Sequence, residues 1–92
     1  RNFTWTVKSK YMKKTAAFQA SSGGSITVTV NIDPTDKTVS AGIVEPDGTR
    51  RYVNGSRSVY HEFALDQTGS YQVFVENNNA SSVEVDGTYL VR

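Results

Sequence analysis

The chain has 92 residues, a length that holds one domain (1–92), and its formal net charge of +1 singles out no partner of opposite charge. It contains no cysteine, which excludes disulfide staples, thiolate metal sites and cysteine nucleophiles. Twelve Val against two Leu favour strands, because β-branched side chains suit a pleated surface and lose rotamer freedom in a helix.

Apolar and polar residues alternate with period two along most of the chain, which is the strand signature. Phe3, Trp5 and Val7 alternate with Asn2, Thr4 and Thr6. Residues 8–14 break the pattern and are polar and basic, so they read as an exposed connection with at most one helical turn. Ala16, Phe18 and Ala20 resume the alternation, and Ser21-Ser22-Gly23-Gly24 is a turn. Ile26, Val28, Val30 and Ile32 form the cleanest apolar stripe, which Asp33-Pro34 ends because Pro has no N–H for a ladder. Val39, Ala41 and Ile43 make the next strand, and Pro46-Asp47-Gly48 makes a tight turn. Tyr52-Val53 is a short strand, and Asn54-Gly55 predicts a hairpin turn. Val59, His61, Phe63 and Leu65 share one face of a strand; Tyr71, Val73 and Val75 share a face of the next. Val83, Val85, Tyr89 and Val91 close the chain, with a bulge predicted at Gly87. Seven to eight short strands between turns predict an all-β, antiparallel two-sheet β-sandwich, jelly-roll or immunoglobulin-like.

Charge is unevenly placed. Residues 1–14 carry Arg1, Lys8, Lys10, Lys13 and Lys14 and no acid, whereas residues 33–92 hold all nine acids against five bases. Lys8, Lys10, Lys13 and Lys14 are therefore the candidate contact to a polyanion or an anionic surface, with edge protection as the bland alternative. Tyr60 and Phe74 fall out of phase with their apolar neighbours and are expected to point away from the core as exposed contact aromatics.

Nothing marks a catalytic centre. His61 is the single histidine and lies in phase with core residues, which predicts a structural role near a sheet edge. Glu45, Asp47, Glu62, Glu76, Glu84 and Asp86 are spread singly, without the spacing of a glycosidase pair. Asp33, Asp36 and Asp47 offer hard oxygen ligands but match no calcium loop, so no metal or cofactor is expected. No run reaches the roughly 18–20 apolar residues of a membrane helix. The sequence begins at Arg1 rather than Met, as expected of a processed or excised chain.

In Phe63 to Val73, an apolar strand end precedes a Gly69 turn, with Tyr71 two residues on. In immunoglobulin-like sandwiches such a tyrosine forms a corner, its hydroxyl bonding back to upstream backbone. Together with Phe18 before Gly23-Gly24, the Ile26-Val28-Val30 stripe and the Pro46-Asp47-Gly48 turn, this stretch resembles the pre-peptidase C-terminal type of bacterial extracellular β-sandwich. The resemblance implies an accessory module of a secreted protein, with Gly69 and Tyr71 as a structural corner. The expected function is a non-catalytic, secreted binding module at a bacterial surface. The alternatives are a free-standing secreted effector (toxin, bacteriocin-like factor or inhibitor) and a structural subunit assembling through sheet edges. The expected partner is a protein, a polysaccharide or an anionic surface, and nucleic acid is disfavoured.

Overall fold

In the computed structural model, which describes residues 1–92, the chain forms nine strands and no helix. In chain order they are β1 (Asn2–Val7), β2 (Met12–Lys14), β3 (Phe18–Ala20), β4 (Ser25–Asp33), β5 (Thr38–Val44), β6 (Arg50–Ser56), β7 (Ser58–Ala64), β8 (Gly69–Glu76) and β9 (Val83–Val91). One sheet has the order β1-β9-β4-β7. The other has the order β2-β8-β5-β6, with β3 on the same edge of β8 as β2. All pairings are antiparallel. The pairs nest: first strand with last, fourth with seventh, fifth with sixth.

The alternation read from the sequence builds the core between the sheets. Ile26, Val28, Val30 and Ile32 of β4 are all at most 3% exposed, and Val39, Ala41, Ile43, Tyr71, Val73 and Val75 face them from the other sheet. Truncating Ile26 to Ala would cost about 2–5 kcal/mol, the usual range for a buried Ile whose site cannot fully collapse.

Three expectations need correction. Residues 8–14 are neither a helical turn nor wholly a connection: Lys8–Tyr11 is a tight turn closed by Tyr11 N–H donating to Lys8 O at 3.0 Å, and Met12–Lys14 pairs with β8. Asn54-Gly55 lies inside β6, opposite Ser40 and Val39, and the chain turns instead at Arg57, whose φ is 66°. Gly55 is needed for close approach, since a Cβ there would sit 2.8 Å from Val59 Cγ2. Gly87 is not a bulge, because it pairs in register with both Phe3 and Val30. It makes room for an aromatic ring: a Cβ would meet Phe3 Cζ at 2.2 Å.

A real bulge sits elsewhere. Lys14 is opposite Phe74 and Phe18 is opposite Tyr71, so four steps on one strand answer three on the other. Thr15 bridges the gap, its N–H donating to Val73 O at 2.9 Å and its Oγ1 accepting from Val73 N–H at 3.1 Å. One extra residue inverts the facing of everything after it. Lys14 therefore shares the outer face with Phe74, while Phe18 shares the inner face with Tyr71.

Candidate functional site

The two flanks of the sandwich differ. On the β6–β7 side the sheets are tied together by Arg51. Its guanidinium donates to Ala64 O at 2.6 Å, lies 5.7 Å from the Phe63 ring centroid and approaches the buried Glu45 carboxylate at 3.5 Å. On the opposite flank β1 and residues 14–18 part, and the seam between them is filled by aromatic rings.

Phe3 and Trp5 project inward from β1, with ring centroids 4.3 Å apart. Phe18, turned inward by the bulge, stacks on Tyr89 of β9 at 4.9 Å with 20° between the planes. Phe3 and Tyr89 are each 9% exposed, whereas Trp5 and Phe18 are half-buried against the same core. A cleft of ≈ 290 Å³ opens over them, and Arg1, Lys14 and Thr15 also line it. That size falls at the low end of the roughly 300–1,000 Å³ of small-molecule pockets and suits one or two side chains better than an extended organic ligand. Rings fixed by the core on one side and wet on the other are ordered before any partner arrives, which lowers the entropy cost of binding.

The lysines of the basic segment do not share a face. Lys10 donates to Asn78 O at 2.5 Å and is thereby tied to the loop at residues 77–82. Lys13 and Lys14 are opposite Val75 and Phe74 and point to opposite sides of their sheet. Lys14 belongs to the cleft; Lys8 lies in the turn just beyond β1.

The two aromatics expected to be exposed diverge. Tyr60 is 74% exposed on the outer face of the four-stranded sheet. Phe74 is the correction: it does lie outside the inter-sheet core, yet none of it reaches solvent. Arg50 and Tyr52, both from β6, roof it over, at 5.8 Å to the ring centroid and edge-on at 6.2 Å. Arg50 then reaches Met12 Sδ at 3.4 Å, closing the roof across the sheet.

Tyr71 is fully buried and donates its hydroxyl to Gln67 O at 2.5 Å. Burial pushes its phenol above the ordinary value of 10.0, outweighing the opposite effect of the Gln67 bond. Gly69, at φ 154°, brings the turn against Pro46, 3.0 Å from where a Cβ would sit. His61 lies where its phase placed it, opposite Val28 on the edge strand β7, but it is exposed there, edge-on to Phe63 at 4.5 Å. No group of three His, Asp or Glu side chains is arranged to hold a metal ion. One acidic cluster was not legible in the sequence: Glu84 is directly opposite Asp33 on the outer face, with Asp86 beside them.

The fold and the seam define an all-β, two-sheet sandwich with a preformed aromatic cleft along one edge. No family model matches the chain, and no curated protein matches it in sequence. Among solved structures it is similar to a periplasmic inhibitor of g-type lysozyme from Aeromonas hydrophila, with TM-score 0.66 and 16% identity over 100% of this chain and 85% of that one. It is also similar to a de novo designed double-stranded β-helix, with TM-score 0.55 and 16% identity over 98% and 99% of the two chains.

Proposed function

We propose that this chain is an exported, non-catalytic binding module that acts by seating part of a protein partner in the Trp5–Phe18 seam, with an enzyme of the lysozyme class as its target. The observation that carries the reading is the seam itself. Half-exposed aromatics held rigidly by a core, with Arg1 and Lys14 beside them, have the composition of protein-binding hot spots. The fold shared with a lysozyme inhibitor supports the choice of target. The nested strand order reads as jelly-roll rather than immunoglobulin-like, since the first strand pairs with the last. Inhibition needs no chemistry from this chain, because a partner segment caught in the seam is covered by the bulk of the sandwich.

Trp5 is the one tryptophan, so 5-fluorotryptophan labelling gives a single ¹⁹F resonance that reports on the seam. The labelled protein is mixed with g-, c- and i-type lysozymes, and lysis of a cell-wall suspension is followed in parallel. The expected result is inhibition of one class, a shifted Trp5 resonance, and affinity reduced by Lys14→Glu, an exposed change that leaves folding intact. No inhibition and no shift up to roughly 100 μM, where a complex is worth only about −5.5 kcal/mol, refutes the reading.

A further inference from the structure

We propose that β1 is a docking edge: an extended, acid-flanked segment of the partner adds to the four-stranded sheet as a fifth strand and sets alternate side chains into the seam. This rests on the seam being the partner site and names the kind of segment that enters it.

The backbone geometry comes first. Arg1 N donates to Tyr89 O at 2.8 Å and Tyr89 N–H donates to Arg1 O at 2.9 Å, so this pair exchanges both bonds. In an antiparallel ladder doubly bonded pairs alternate with unbonded ones. Phe3, Trp5 and Val7 therefore bond to β9, and the N–H and C=O groups of Asn2, Thr4 and Thr6 point outward from the sheet. None of these outward groups is taken by a turn, a loop or a side chain. Six groups in a row form a template for one more strand.

Natural proteins blunt such edges with charge or proline. The other edges here are blunted: β2 carries Lys13 and Lys14, β6 carries Arg50 and Arg51, and β7 carries His61 and Glu62. The edge strand β3 is charge-free but only three residues long. Asn2–Val7 holds six residues with no charge and no proline, and half of its side chains line or support the seam. It is the one long edge left without protection.

Charge selects the occupant. Arg1 precedes the strand, Lys8 follows it, Lys14 lies across the cleft, and no acid occurs before Asp33. A second copy of β1 fits this poorly. Outward groups meet outward groups only in a two-fold antiparallel pairing centred on a residue such as Thr4, with Asn2 opposite Thr6; each end then brings Arg1 of one copy beside Lys8 of the other with no acid between them, and like charges held that close are repulsive. A guest with an acid at each end meets those cations instead. Its middle is constrained too, because opposite residues share a face. Positions opposite Phe3, Trp5 and Val7 should be apolar. Those opposite Asn2, Thr4 and Thr6 should be neutral, since Asp86 and Glu84 lie beside them on β9.

The probe is a capped octapeptide of alternating valine and threonine with aspartate at both ends. Two controls have lysine in place of aspartate, or N-methyl groups on the amides that would face β1. The readouts are the ¹⁹F resonance of Trp5 and amide exchange across β1. The expected result is at least tenfold slower exchange at Asn2, Thr4 and Thr6, weakening as salt rises. The lysine peptide should bind at least tenfold more weakly, and the N-methylated one not at all. Thr4→Pro removes an outward N–H without breaking the β1–β9 ladder and should abolish peptide binding. If that variant fails to fold, the N-methylated peptide still decides. The proposal is overturned by unchanged exchange at about 1 mM peptide, by equal binding of the N-methylated peptide, or by a β1-mediated dimer of the protein alone. Lysozyme inhibition without amide protection would leave the inhibitor reading standing and remove this one.

Discussion

Replacing Gly87 with alanine tests how the floor of the seam is built. The backbone there is ordinary strand, so alanine meets no conformational bar; the obstacle is space. Its Cβ would lie 2.2 Å from Phe3 Cζ and 2.6 Å and 2.8 Å from the two Cε atoms, where ordinary contact begins at 3.4 Å. The ring must retreat by more than 1 Å, and it is 9% exposed and packed against Trp5. Overpacking of this kind costs about 1–3 kcal/mol, and the reduced freedom of the unfolded chain returns about 0.4–1. The net loss is about 1–2 kcal/mol, or roughly 5–15 °C in Tm for a domain of this size. Circular dichroism melts measure it, and the Trp5 resonance should move because its neighbour moves. Adding Phe3→Leu should make the double variant lose less than the sum of the singles, as expected for residues in contact. A Tm within about 2 °C of wild type, or strict additivity, would refute the claim that Gly87 exists to seat Phe3.

The other outcomes are smaller. Tyr71→Phe strands the Gln67 carbonyl and should cost about 1 kcal/mol at neutral pH. Because burial raises the folded phenol's pKa above 10.0, its contribution is intact below that pH and fades as pH rises beyond it; the variant should lose this part of the alkaline transition in pH-dependent urea melts. Asp47 accepts from Thr49 N–H at 3.0 Å, and that bond holds its carboxyl below the ordinary 3.8. A depressed carboxyl stabilises the fold above its unfolded pKa and stops doing so as pH falls through the folded value, so Asp47→Ala should lower the urea midpoint at neutral pH and converge on wild type in acid. Glu84→Thr relieves the directly opposed Asp33 and should raise stability by about 0.2–1 kcal/mol at low salt; a lower midpoint would contradict the repulsion.

The strands were legible where one face is apolar and the other polar, as in Ile26–Ile32 against Thr27, Thr29 and Asn31. Alternation fails on β8, where both faces are buried: Phe74 is covered by Arg50 and Tyr52, which arrive from a strand about twenty residues earlier. It also fails at the one-residue slip after Lys14, since nothing in Thr15-Ala16-Ala17 announces the bulge that turns Phe18 inward. Glycine was read as a turn signal, correctly at Gly48, where φ is 89°. At Gly55 and Gly87 its role is the absence of a side chain, and the side chain it avoids lies on another strand. The basic character of the first fourteen residues was plain. The seam was not, because β1, residues 14–18 and β9 meet only once the chain has closed.

The nested order of the strands also dictates a sequence of assembly. The β5–β6 hairpin closes the shortest loop, from Val44 to Arg50, and each outer pair becomes affordable only after the inner ones have brought its ends together. The pairing of β1 with β9 joins the two extremes of the chain and comes last. Pulsed hydrogen exchange during refolding should protect β5 and β6 amides first and β1 amides last; the reverse order would contradict this. As an edge strand β1 has a single ladder partner, β9, and a strand laid along its free side would add a second. The recognition edge is thus the strand that ties one extreme of the chain to the other, and a partner strand pairing with it would brace the contact of longest reach in the fold.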